Sequence, residues 1–134
     1  MSTKHRVVRW IAFVTGALLI AIGILHDVVN IRGLQRAAAK GDVAERLMPQ
    51  LVANIASAGI ALALPGLLLM LVAPGLAKGQ RLARRIALGI GMFFVLGGIA
   101  GYLWQPMPAV FIFSAFGALI CVPLILWRAD FSAD

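Results

Sequence analysis

Charge is scarce in this chain. Of its 134 residues 13% are charged, five are acidic and 62% are hydrophobic, with a mean hydropathy of +0.98. A water-soluble domain carries roughly a quarter charged residues, so water is not the main solvent here. Cysteine occurs once, as Cys121 inside an apolar run, which excludes an internal disulfide and gives no information on redox compartment. Histidine occurs twice, and His5 lies in the polar N-terminal tail far from His26. A zinc site needs three or four ligands, and His26 has only carboxylates to join it, so no metal site is expected. No Ser-His-Asp spacing can be read and no glycine-rich loop follows a strand. Neither a catalytic residue nor a cofactor is assigned.

What the chain does have is apolar length. Residues 10–30 read WIAFVTGALLIAIGILHDVVN. A bilayer core of about 30 Å needs roughly 20 helical residues at about 1.5 Å each, and this run suffices. Lys4, His5, Arg6 and Arg9 precede it, as in a secretory signal, and Ala21-Ile22-Gly23 loosely resembles a cleavage site, but the run is longer than a signal core. Three more runs follow. The expected fold is an all-α membrane protein: one domain, an antiparallel four-transmembrane-helix bundle with helices over about 7–29, 49–73, 86–104 and 109–127. Pro49 suits a first helical turn, Pro65-Gly66 predicts a kink, and Pro74-Gly75 reads as a stop. Gln105-Pro106-Met107-Pro108 is short and stiff, so the last two helices should be antiparallel neighbours.

The net charge of +7 is gathered in short clusters between apolar runs, with no soluble basic face to lie along phosphates, so nucleic acid is excluded as a partner. Lys4, Arg6, Arg9, Lys78, Arg81, Arg84, Arg85 and Arg128 fall on one side of the expected topology, against Arg32, Arg36, Lys40 and Arg46 on the other. That bias places both termini in the cytoplasm of a bacterial inner (plasma) membrane. Lys78, Arg81, Arg84 and Arg85 form the densest cluster, a topology signal that also suits lipid headgroups. The connector 31–48 has two readings. It is either a short helical connector on the membrane surface, interrupted at Gly41 and restarted by an Asp42/Glu45 capping box, or a solvated link.

This topology brings polar residues to the outer helix ends: His26, Asp27 and Asn30 from the first helix, Asn54 and Ser57 from the second, Tyr102 and Gln105 from the third, and Ser114 from the fourth. An unsatisfied polar group in hydrocarbon costs several kcal/mol, so these groups should face one another or water. His26 and Asn30 share a helical face, and an imidazole beside a carboxylate can donate, accept or ligate. Interfacial anchoring explains the same residues, and both readings stand. Gly16 and Gly23 lie on nearly one face, and Gly97 and Gly101 form a G-x-x-x-G pair for close helix packing, within the bundle or between protomers.

In length and crossings the chain resembles the small multidrug resistance transporters, but it lacks the buried glutamate that family uses in its first helix: 11–25 contains no acid. Gly23-Ile24-Leu25-His26 ending the first helix, the basic mid-chain loop and the proline near the last turn resemble small uncharacterised four-helix bacterial integral membrane proteins. That resemblance implies no activity. The expectation is a non-enzymatic accessory or self-assembling subunit, in a homo-oligomer or larger membrane complex. The alternative is a binder or modifier of a small hydrophobic ligand, such as a lipid, quinone or haem, around His26. The third reading is a proton-coupled small transporter using Asp27.

Overall fold

A computed structural model describes residues 2–104 and 106–131. These form four α-helices: α1 (Thr3–Ala39), α2 (Met48–Ala77), α3 (Arg81–Trp104) and α4 (Pro108–Leu126). Single 3₁₀ turns occupy Glu45–Leu47 and Arg128–Asp130. The segments Thr3–Ala39, Glu45–Ala77 and Arg81–Trp104 are each long and apolar enough to cross a membrane. The apolar part of α4, Val110–Leu126, is shorter. Its 19-residue helix still rises roughly 28 Å, close to the thickness of a bilayer core.

The helices run further than the apolar runs do. Where α1 was expected to end near residue 29, it continues through Ile31–Ala39, because Leu, Gln, Arg and three alanines are good helix formers whether or not they suit lipid. It stops at Gly41, whose φ of +82° is open to glycine at no steric penalty. The Gly41 N–H donates to the Ala38 carbonyl and the Asp42 N–H to that of Ala37, a closed C-terminal cap. The connector therefore shrinks to a few residues and one 3₁₀ turn, whose N-cap Ala44 makes no side-chain bond.

Helix α2 passes through both Pro65-Gly66 and Pro74-Gly75 without a break. It closes by the same device as α1. Gly79 has φ +73° and donates to Leu76, and Gln80 donates to Gly75. Only this tight turn separates α2 from α3, so Arg81, Arg84 and Arg85 lie in the first turns of α3 rather than in a loop. At the other helix start Pro108 takes the first helical turn of α4, a position where no N–H is needed.

Contacts group the chain into two compact units, one made of the chain up to Thr15 together with everything from Leu68 onward, the other of Gly16–Leu67. Both boundaries fall inside helices. In the Gly16–Leu67 unit α1 and α2 run antiparallel along a seam of small residues. A Cβ on Gly23 would lie 2.6 Å from the Gly59 carbonyl, and one on Gly66 would lie 2.6 Å from the Gly16 carbonyl, closer than side chains come. Two backbones can approach that closely only where the side chains are missing.

The other unit is built on α3 and α4, also antiparallel. Ala83, Ala87, Gly91, Phe94 and Gly98 are the buried stripe of α3. Gly91 meets Gly117 and Cys121, Gly98 meets Ser114, and Gly101 meets Val110, so α4 positions fall as α3 positions rise. Phe94 stacks on Phe113 with centroids 6.2 Å apart, filling the space beside the glycines. Outside this seam large apolar side chains face outward, with Trp104 91%, Leu103 78% and Leu126 73% exposed.

Candidate functional site

The first candidate is the polar turn of α1. Asp27 follows Gly23 by one helical turn and so continues the small-residue face toward α2, where its carboxylate lies against the bare Cα of Gly59. His26 Nδ1 is 3.2 Å from Asp27 Oδ1, with both side chains partly exposed. Asn30 Nδ2 donates to the His26 carbonyl at 2.7 Å, back-bonding along its own helix. On α2, Ser57 Oγ donates to Ala53 at 2.8 Å in the same manner, and both Ser57 and Asn54 are exposed. Each recorded bond of this turn is local, within one helix and one or four residues away. Local satisfaction of this kind needs no partner molecule.

The remaining residues expected at the outer helix ends belong to the other unit. Tyr102 packs edge-on against Phe111 with centroids 5.7 Å apart, and with Pro108 the two line an apolar hollow of about 360 Å³. Gln105 lies outside the described residues. Ser114 is buried in the α3–α4 seam, where its hydroxyl donates to the Val95 carbonyl at 3.0 Å. Of the G-x-x-x-G pair, Gly101 faces Val110 of α4, whereas among the described residues Gly97 meets nothing within 4 Å; neither does Gly89, two turns earlier.

The second candidate is at the opposite end of α3. Arg81, Arg84 and Arg85 at its start and Arg128 just beyond α4 line one hollow of about 610 Å³, walled by Leu126, Ala129 and Phe131. Arg84 is held in place: its Nε–H donates to the Leu124 carbonyl at 2.9 Å. That carbonyl sits in the last turn of α4, where intrahelical donors run out. Phe131 is buried and stacks obliquely on His5 at 5.0 Å, which fixes the chain after Arg128 against the start of α1. His5 Nε2 is 2.9 Å from the Asp130 carbonyl, and Lys4 Nζ is 3.0 Å from Asp130 Oδ2. Asp130, between the lining residues Ala129 and Phe131, is thereby turned to α1. Among the described residues, no acid lines the hollow.

Two residues change standing here. Arg128 had only a topological meaning in the sequence, since forty-odd residues separate it from Arg85; the antiparallel α3–α4 pair closes that gap. Lys78, part of the same linear cluster, lines a different hollow with His5, Arg9, Pro74 and Ala77. No group of three or more His, Cys, Asp or Glu side chains able to hold a metal ion occurs among the described residues. Comparison with protein-family models, with curated proteins and with solved structures finds no match for this chain.

Proposed function

We propose that the chain is a polytopic protein of the bacterial inner membrane, four helices crossing antiparallel with both ends in the cytoplasm, and that it acts as a non-enzymatic accessory or self-assembling subunit. The resemblance to small four-helix bacterial membrane proteins belongs to the same reading. Three segments of spanning length and an outer surface of large apolar side chains support the membrane, because a soluble monomer rarely exposes apolar patches beyond a few hundred Å².

One observation carries the assembly. The glycines of α3 fall into two sets, Gly91, Gly98 and Gly101 meeting α4 and Gly89 and Gly97 meeting nothing. Each glycine in a helix interior costs about 1 kcal/mol relative to alanine, and the open pair meets nothing within 4 Å among the described residues to offset it. A second copy, or a partner helix, approaching that face would use the missing side chains as α4 uses the others. Gly89→Ile and Gly97→Ile should leave insertion and helix content intact and lower the native mass in mild detergent. An unchanged mass removes this reading.

The competing reading places a lipid, quinone or haem beside His26, Asp27 and Asn30. Its support is the imidazole and carboxylate paired at 3.2 Å in a helix otherwise without acids. A visible absorption spectrum and native mass of the purified protein decide between them. A bound chromophore lost in His26→Ala would favour the pocket.

A further inference from the structure

We infer that the hollow between the start of α1 and the end of α2 is a binding site for the headgroup of an anionic phospholipid, with Arg9 and Lys78 on its phosphate. His5, Arg9, Pro74, Ala77 and Lys78 line this hollow, whose volume of about 580 Å³ lies in the range of ligand sites. Two segments far apart in sequence build it. A Cβ on Gly79 would lie 2.9 Å from His5 Cε1, so the turn that closes α2 sits against the first turn of α1.

The lining side chains have separate roles. His5 Nε2 is 2.9 Å from the Asp130 carbonyl and its ring centroid lies 5.0 Å from that of Phe131, so His5 is a wall held from behind. The Arg9 guanidinium lies over the Trp10 ring at 5.9 Å, and Lys78 stands one turn above Pro74, to whose carbonyl its own N–H donates at 3.3 Å. Among the described residues, neither cation is in an ion pair. Neither is strained by its helix: α1 begins where α2 ends, so their opposed dipoles largely cancel, and Lys78 just past a helix C-terminus is favourably placed. The α1 wall thus offers a guanidinium fork that takes two phosphate oxygens, and the α2 wall an ammonium point charge.

The apolar continuation of both walls identifies the source of the phosphate. Phe13 follows Arg9 by one turn of α1, and Leu71 precedes Pro74 by one turn of α2, so each basic residue heads a column that becomes apolar deeper along the helix. Phe13 and Leu71 are exposed, and Trp10, 54% exposed, marks the level of an interface. An acyl chain can lie along these columns with its phosphate at their head, whereas a free phosphate ester would leave them bare. The lipid rests on the membrane reading above, which puts this hollow on the cytoplasmic side, where anionic lipid is concentrated.

The full chain in mild detergent is mixed with phosphatidylglycerol, with phosphatidylcholine of the same acyl chains, or with glycerol 3-phosphate, and bound adducts are measured by native mass spectrometry. Phosphatidylglycerol should bind more tightly than either, and Arg9→Gln and Lys78→Gln should each weaken it about tenfold. Arg85→Gln, an equal change of charge in the neighbouring hollow, should leave it unaltered. Asp134 lies outside the described residues, and Asp134→Asn should leave it unaltered too. Equal binding of phosphatidylcholine, equal loss in Arg85→Gln, retention in the Arg9→Gln/Lys78→Gln double variant, or binding that appears only in Asp134→Asn overturns the site. Glycerol 3-phosphate binding as tightly as phosphatidylglycerol overturns the lipid assignment. Recovery of the chain in the aqueous phase without detergent defeats the membrane reading itself, whereas a chain that stays in the membrane fraction and shows no preference for phosphatidylglycerol removes this site alone.

Discussion

Two polar places in this chain treat their charges in opposite ways. In the middle of α1, Asp27, His26 and Asn30 answer one another within a single turn, and α2 supplies only a gap at Gly59 into which the carboxylate fits. At the start of α3, arginines from two segments are drawn together by the fold, and one of the recorded bonds, Arg84 to Leu124, crosses from α3 to α4. A polar group satisfied by its own turn depends on one helix alone. Arg84 depends on two, because its acceptor is delivered only by the return of α4.

Breaking the first arrangement at its gap should have the largest effect on stability. Gly59→Leu pushes a side chain into the space that holds the Asp27 carboxylate, and overpacking of this kind costs about 3 kcal/mol. Thermal unfolding followed by circular dichroism in detergent should show a fall in Tm of many degrees. Gly97→Leu, where no atom lies within 4 Å, is the matched control, and the Tm of that protomer should hold.

Within the arginine cluster the members should separate. Arg84→Gln removes a charged donor from the part-buried Leu124 carbonyl and should destabilise by about 1–3 kcal/mol. Arg85→Gln removes only mutual repulsion at a helix start and should be neutral or raise the Tm slightly, with the gain shrinking as salt is added. Equal Tm losses for the two would mean that Arg84 and Arg85 are held alike, and the contrast between them would fail.

Much of the frame was legible in the sequence because it depends on hydropathy and on a few residue types. Four helices follow from four apolar runs, and the tight pairing of α3 with α4 follows from a connection too short for anything else. The Gly16 and Gly23 face marked where α2 packs. The helix ends differ from the ends of the apolar runs for one reason: lipid solubility stops where the apolar side chains stop, whereas the backbone continues on helix propensity. Helix α1 runs on through 31–39 on helix propensity, and α3 begins at Arg81 because arginine is a good helix former. That same displacement hid the arginine hollow. Read as a loop, the basic cluster was one linear patch containing Lys78; as a helix start it loses Lys78 and gains Arg128. Linear spacing cannot show such an exchange, since it is the antiparallel return of α4 that delivers Arg128. The partition of glycines is equally invisible in the sequence: Gly97 and Gly101 are one turn apart, yet among the described residues only Gly101 has a neighbour.

The smallest expected effects test the resting state of the α1 turn most sharply. His26→Ala removes one partner of a partly exposed pair, and such pairs are worth about 0–1 kcal/mol. Asn30→Ala removes a side-chain bond to its own helix, one that competes with the backbone rather than adding a tertiary contact. Each variant should unfold within a few degrees of the parent. Asp27 gives the asymmetry: Asp27→Asn keeps the volume over Gly59 and should also be mild, whereas Asp27→Leu must find room where Gly59 leaves only enough for a carboxylate. If His26→Ala and Asn30→Ala prove as damaging as Asp27→Leu, the turn is bound to something beyond its own helix. A molecule or second chain at His26 would then have to be part of the folded state.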